Sequence, residues 1–221
     1  MSENSEEQTN KGKFYKFVAG KGVMNLPNKL TISRVVMIPL FVLFFYLNFK
    51  GHYFCSLGVF ALACFTDFLD GYLARKYKLV TNLGKFLDPV ADKVLVAAAM
   101  VIMLTQPFFF TRYLGDWALV CAGCCVAVIM ARELIVSGFR MVAADARVVI
   151  AADKAGKYKT VCQDLSIVVL LVFSGFYEFF EDATAIMVLN YVGLALFALA
   201  TILTVISGIN YLIKNRQVLR Q

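Results

Sequence analysis

Four aspartates recur at helical spacing on two neighbouring apolar segments. Asp67 and Asp70 lie three residues apart near the end of one segment, and Asp88 and Asp92 lie four residues apart near the start of the next. In α-helices these spacings place each pair on one face of its helix. If the two helices run antiparallel across a short loop, the pairs meet at matching depth. Ionised carboxylates in apolar helices are costly and therefore indicate a functional site.

The surroundings of these acids suggest which chemistry they serve. Four convergent carboxylates repel one another unless cations lie between them, and oxygen-only ligation favours Mg²⁺ or Mn²⁺ over softer metals. Gly71, Ala74 and Gly84 share the faces of the acids and leave room for a ligand to approach the helix backbone. Arg75 lies at the expected water boundary, where it can bind a phosphate. This combination favours metal-assisted transfer at a pyrophosphate.

Two other interpretations of the acids stay open. Arg75, Lys85 and Lys93 could pair with them as buried ion pairs, which would account for one or two acids but not for four on two facing stripes. A ring of acids could also line a cation pathway, although a pore has little need of small residues beside the acids.

The distribution of apolar residues places the acids in a membrane protein. The 221 residues are 60% hydrophobic and 17% charged, whereas a soluble domain is about one quarter charged. Uncharged runs reach membrane-spanning length. We therefore predict one all-α domain with six transmembrane helices. The predicted spans cover residues 30–49, 53–74, 84–104, 114–139, 160–176 and 185–213.

Basic residues alternate between the breaks and predict the orientation. Lysine and arginine are concentrated after the second, fourth and sixth spans, whereas the opposite breaks hold few of them or are acidic. By the positive-inside rule, both termini and the loops after spans two and four face the cytoplasm. We assign residues 25–221 to the catalytic membrane domain and residues 1–24 to an N-terminal tail. The basic and aromatic residues of this tail form either a juxtamembrane amphipathic helix or a solvated linker.

Cysteine and histidine usage excludes several other site chemistries. The six cysteines lie in or beside apolar runs, so we interpret them as packing residues, including the Cys121-x-x-Cys124 pair, which has no partner pair. His52 is the only histidine, which excludes a His-rich metal site and a Ser-His-Asp triad. We predict no nucleic-acid partner.

The chain resembles the CDP-alcohol phosphotransferase family. The family signature is D-x2-D-G-x2-A-R-x8-G-x3-D-x3-D, and every position is matched here, by Asp67, Asp70, Gly71, Ala74, Arg75, Gly84, Asp88 and Asp92. Other segments look like a bacterial branch of the family, the phosphatidylglycerolphosphate synthases. These segments are residues 25–31 with Arg34, 87–93, 132–140, and 156–160 with Gln163. The resemblance covers most of the chain from residue 25 onward and implies the six-span fold of that family.

The resemblance also implies an activity. The donor would be CDP-diacylglycerol, the acceptor sn-glycerol 3-phosphate, and the products phosphatidylglycerol phosphate and CMP. Two divalent ions, Mg²⁺ or Mn²⁺, would be held by Asp67, Asp70, Asp88 and Asp92, with Asp92 also acting as the base that takes the acceptor's proton. The residues implied to hold the CDP group are Asp67, Asp70, Gly71, Ala74, Arg75 and Gly84. A homodimer in the bacterial cytoplasmic (inner) membrane is expected on the same grounds.

The acceptor is the part of this expectation with the least support from the residues. A dianionic acceptor needs cations at the cytoplasmic mouth. The candidates are Arg34, Arg132, Arg140, Lys157 and Lys159. Each could instead be a membrane anchor or a snorkelling residue. Within the same family, phosphatidylglycerol is the alternative acceptor, giving cardiolipin, and a lipid acceptor would not need a basic pocket.

Overall fold

A computed structural model describes residues 26–77, 82–145, 154–180 and 184–214, and within these ranges the chain is helical and contains no strand. The helices of the described ranges are α1 (Leu26–Tyr46), α2 (His52–Tyr77), α3 (Asn82–Leu104), α4 (Phe108–Leu114), α5 (Trp117–Asp145), α6 (Lys154–Phe180) and α7 (Thr184–Lys214). The expectations for residues 1–24 lie outside the described residues. Five predicted site residues are described only as parts of helices, and their side chains lie outside the description: Ala74, Arg75, Gly84, Asp88 and Asp92.

The predicted all-α membrane fold is confirmed. In the described part of the chain, five helices are long and apolar enough to cross a membrane, namely α1, α2, α5, α6 and α7. A sixth span is present if α3 from Lys93 onward and α4 are counted together, since they form a pair bent by 50°. Large apolar side chains such as those of Phe68, Val120 and Leu134 are exposed on the helices, as expected of surfaces that contact lipid.

The short helix α4 was not predicted. The sequence indicated a break at residues 105–107 and a single span from Leu114 onward, but the structure has seven helical residues, Phe108–Leu114, before α5 begins at Trp117. Gly115 separates the two helices with φ +81°, a left-handed conformation that favours glycine. Pro107, at the N-cap of α4, starts the new helix after the break.

The described residues form two units. The first unit comprises residues 26–47, 55–77 and 82–96, and the second comprises residues 48–54, 97–145, 154–180 and 184–214. In the first unit, Phe41 on α1 packs against Phe60 on α2 with ring centroids 6.1 Å apart, and both side chains are fully buried. This contact fixes α1 against α2 about two turns along α1 from Arg34.

In the second unit, α6 and α7 approach closely because glycine lies between them. A Cβ atom on Gly193 of α7 would lie 2.7 Å from Leu170 Cδ2 of α6, a separation that van der Waals repulsion forbids. The buried Asn190 Nδ2 donates a hydrogen bond to the carbonyl oxygen of Phe109 at 2.8 Å, which ties α4 to α7. Such satisfied polar contacts are needed where no water reaches the backbone.

Candidate active site

The last three turns of α2 carry the first half of the acid pattern. Asp67 and Asp70 lie one turn apart on this helix, as their spacing predicted. Asp70 is buried, at 4% exposure, whereas 44% of the Asp67 side chain is exposed. Gly71 follows Asp70 directly and is partly buried. The helix thus presents one inner and one outer carboxylate.

Both carboxylates contact one cation, Arg34 of α1. Its Nη1 atom lies 2.6 Å from Asp67 Oδ1, and its Nη2 atom donates a hydrogen bond to Asp70 Oδ2 at 2.5 Å. Thr31, one turn earlier on α1, also donates from Oγ1 to Asp70 Oδ2, at 3.3 Å. Arg34 is fully buried. Two adjacent negative charges raise each other's energy, and the guanidinium offsets one of them.

The described half of the acid set fits a divalent ion. The carboxylates of Asp67 and Asp70 converge on a single positive charge, and carboxylate oxygens are the donors that Mg²⁺ and Mn²⁺ prefer. Asp88 and Asp92 lie on α3, but their side chains are not described. Among the residues whose side chains are described, no group of three or more His, Cys, Asp or Glu side chains is arranged to hold a metal. That finding leaves the predicted four-acid site untested.

A second charged cluster lies in the second unit, where α5, α6 and α7 each contribute. Arg132 Nη1 donates a hydrogen bond to Glu133 Oε1 at 3.0 Å, and Lys159 Nζ pairs with the same oxygen. Arg132 Nη2 donates to Ser207 Oγ at 2.9 Å. The side chains of Arg132 and Lys159 are only 14% and 5% exposed. We call Arg132, Glu133, Lys159 and Ser207 the arginine–lysine cluster.

The other predicted basic residues have different surroundings. Arg140 is exposed, and its guanidinium carbon lies 5.7 Å from the centre of the Tyr211 ring, a cation–π distance. Lys157 is exposed on α6. Arg34 belongs to the first unit and faces the carboxylates of α2. The structure therefore joins Arg132 to Lys159 within one cluster and places Arg34 in a separate set of contacts.

Sequence reasoning missed the partners of these basic residues. The sequence assigns no role to Thr31, Glu133 or Ser207. Only Glu133 offered a usable signal, because an ionisable residue inside an apolar span is by itself a candidate functional residue. Nothing in a single sequence indicates that Ser207, 75 residues away, contacts Arg132.

The sequence profile of CDP-alcohol phosphatidyltransferases matches residues 24–206 of the chain. The chain belongs to the CDP-alcohol phosphatidyltransferase family. The matched region includes every position of the signature from Asp67 to Asp92, so the predicted resemblance is confirmed. Enzymes of this family generally depend on a divalent metal.

Three bacterial relatives share one name, CDP-diacylglycerol–glycerol-3-phosphate 3-phosphatidyltransferase. The protein of Sodalis glossinidius is 43% identical over 150 residues, covering 67% of this chain and 77% of the relative. The protein of Rickettsia typhi is 36% identical over 187 residues, covering 85% and 94%. The protein of Shigella flexneri serotype 5b is 38% identical over 190 residues, covering 85% and 93%.

Proposed function

We propose that this chain transfers the phosphatidyl group of CDP-diacylglycerol to sn-glycerol 3-phosphate, which yields phosphatidylglycerol phosphate and CMP in phospholipid biosynthesis. The shared name of the relatives supports both substrates, because they align with most of the chain. The observation that carries the proposal is the convergence of Asp67 and Asp70 on one buried cation. These two acids form the first half of the family signature, and such a pair suits a divalent ion at a diphosphate.

The signature residues are proposed to bind the metal ions and the CDP group of the donor. Two divalent ions, Mg²⁺ or Mn²⁺, would be held by Asp67, Asp70, Asp88 and Asp92. A metal bound there would supply positive charge to neutralise the diphosphate and to stabilise the departing CMP. The CDP group would be held by Asp67 and Asp70 together with Gly71, Ala74, Arg75 and Gly84.

Asp92 is proposed as the general base. Its carboxylate takes the proton of the acceptor hydroxyl, and the freed oxygen attacks the β-phosphorus of CDP-diacylglycerol. The bond between that phosphorus and the oxygen bridging to the α-phosphorus breaks, and its electron pair leaves with CMP. The proton stays on Asp92 until solvent removes it, so the protein returns to its starting state.

The basic residues are proposed to bind the phosphate of the acceptor. Arg132 and Lys159 both contact the same oxygen of Glu133, and their side chains are largely buried. Charge-assisted contacts to a phosphate are stronger than neutral hydrogen bonds. Arg140 and Lys157, which are exposed, and Arg34 complete the proposed set. Arg34 already faces two carboxylates, so its part in phosphate binding is the most indirect.

The setting is proposed from composition and relatives. Apolar helices make this a membrane protein, and the named relatives are bacterial. We assign it to the cytoplasmic (inner) membrane as a homodimer, with both termini in the cytoplasm. The orientation follows from the basic residues after spans two, four and six. Reporter fusions at both termini test it: activity of a periplasm-specific reporter at either end would contradict it.

Competing acceptors test the proposed reaction. Purified protein in detergent receives Mg²⁺, CDP-diacylglycerol and equal amounts of sn-glycerol 3-phosphate and phosphatidylglycerol. We expect CMP to appear mole for mole with phosphatidylglycerol phosphate, and glycerol to be a very poor acceptor because it lacks the phosphate anchor. Cardiolipin as the main product would move the chain to another branch of the family. Failure to release CMP with any acceptor would refute a transferase.

A further inference from the structure

Glu133 has an unusual place for an acid. It lies on α5 inside the apolar span Trp117–Arg140, and 22% of its side chain is exposed. A single oxygen, Oε1, contacts both the Arg132 guanidinium and the Lys159 ammonium. The carboxylate therefore serves two cations from two helices. An acid that only offset one neighbouring charge would not need to face both.

The course of the Arg132 side chain is fixed by its surroundings. Ser207 of α7 accepts a hydrogen bond from Nη2, while Glu133 accepts one from Nη1. A Cβ atom on Gly208 would lie 2.9 Å from Arg132 Cγ, and one on Gly156 would lie 4.0 Å from Nη2. The glycine at position 208 thus makes room for the arginine stem. The Arg132 side chain is therefore held by hydrogen bonds at both terminal nitrogens and by close packing along its stem.

The cluster combines charges of both signs. Arg132 and Lys159 contribute two positive charges and Glu133 one negative charge, all on side chains that are at most 22% exposed. Without the acid, the two cations would repel each other and each would favour water. With it, both cations contact one oxygen and are held side by side, which saves part of the reorganisation that binding an anion would otherwise require.

We propose that Glu133 is a positioning residue that holds Arg132 and Lys159 side by side as a two-cation site for the phosphate of the acceptor. The inference rests on the proposed function, in which glycerol 3-phosphate is the acceptor. Glu133 touches neither the phosphate nor the reacting atoms. Its effect on the reaction passes through the two cations.

A different role for Glu133 predicts the opposite sign. If the acid merely lowers the positive charge of the cluster, Glu133→Gln raises the net charge by one and should tighten anion binding. If the acid positions the cations, the same substitution lets them separate and should weaken anion binding. The direction of the change in KM for glycerol 3-phosphate therefore separates the two roles.

Glu133→Gln is the primary test. We expect the KM for glycerol 3-phosphate to rise by about tenfold or more, in line with the cost of small misplacements of binding groups, and the KM for CDP-diacylglycerol to stay within about twofold. The inhibition constant of inorganic phosphate against glycerol 3-phosphate should rise in parallel. Glu133→Asp keeps the charge and should recover part of the loss. An unchanged or lower KM for glycerol 3-phosphate would overturn the inference.

Two glycine substitutions provide a second test if the Glu133→Gln variant does not fold. Gly208→Ala pushes on the Arg132 stem while leaving Glu133 in place, whereas Gly138→Ala on α5 meets nothing within 4 Å. Gly208→Ala should raise the KM for glycerol 3-phosphate and Gly138→Ala should not. Equal KM values in the two variants would count against the cluster as the phosphate site. If the unaltered protein uses phosphatidylglycerol rather than glycerol 3-phosphate, the proposed function itself fails, and this inference fails with it.

Discussion

Arg34→Met should destabilise the first unit, and mainly through one of its two acids. Arg34 is fully buried and Asp70 is 4% exposed, so the substitution removes a buried cation from its contact with a buried carboxylate. Breaking such a pair costs about 3–5 kcal/mol. The Asp67 side chain is 44% exposed, and water can solvate it, so its coupling to Arg34 should stay below about 1 kcal/mol.

Double-mutant cycles separate these two contributions. One cycle combines Arg34→Met with Asp70→Asn, and the other combines it with Asp67→Asn. Thermal unfolding is followed in detergent with a chelator present, so that only the charges of the protein contribute. At about 2–4 °C per kcal/mol for a chain of this size, Arg34→Met should lower Tm by about 6–20 °C. Lys29→Met, at an exposed position on the same helix, is the control and should shift Tm by less than about 2 °C.

The two coupling energies distinguish the buried contact from the exposed one. The coupling of Arg34 to Asp70 should clearly exceed its coupling to Asp67. Equal couplings, or a Tm for Arg34→Met that matches the Lys29→Met control, would refute the claim that burial of the inner carboxylate sets the stability of this site. Neither result depends on which acceptor the protein uses.

Other consequences concern metal, base, acceptor and packing. Asp88→Ala should abolish turnover in a folded protein, as chelation should; near-normal CMP release would remove Asp88 from the metal site. Asp92→Asn should lower kcat by about 10²–10⁴-fold with nucleotide-lipid binding kept; equal losses of binding and rate would make it chiefly a ligand. Arg140→Ala should raise the KM for glycerol 3-phosphate but not for CDP-diacylglycerol, and lysine there should restore only part; equal shifts in both constants would argue against a role in acceptor binding. Gly193→Ala should lower the free energy of unfolding by about 1–3 kcal/mol, because the added methyl group meets Leu170. Gly123→Ala is the control, because its methyl group meets nothing within 4 Å. Similar losses of stability in both variants would contradict the close approach of α6 and α7.

Helix positions followed from local sequence, because long apolar runs and charged breaks are local properties. Asp67 and Asp70 lie on α2, and Asp88 and Asp92 on α3, as their spacing predicted. The sequence predicts the break at Pro107 but not the positive φ of Gly115. The separate helix α4 is therefore not predicted. A glycine in an apolar stretch is also compatible with a continuous helix, so its backbone conformation was not evident from the sequence.

The partners of the charged residues depend on contacts between distant segments, and a single sequence does not contain them. Arg34 was grouped with the acceptor residues because it is basic and lies near a span end, yet its guanidinium faces Asp67 and Asp70. Glu133 lies between two predicted phosphate ligands and was overlooked. The contacts of Arg34 follow from the packing of α1 on α2, and those of Glu133 follow from the contact of α5 with α6.

The fate of the acceptor oxygen tests the proposed transfer most directly. The purified protein is given CDP-diacylglycerol, Mg²⁺, unlabelled phosphatidylglycerol and sn-glycerol 3-phosphate carrying ¹⁸O in its hydroxyl groups. If the hydroxyl attacks the β-phosphorus, mass spectrometry should find all the label in phosphatidylglycerol phosphate and none in the CMP released with it. Phosphatidic acid together with a labelled cytidylyl product, or unlabelled cardiolipin as the main lipid, would contradict the proposed transfer.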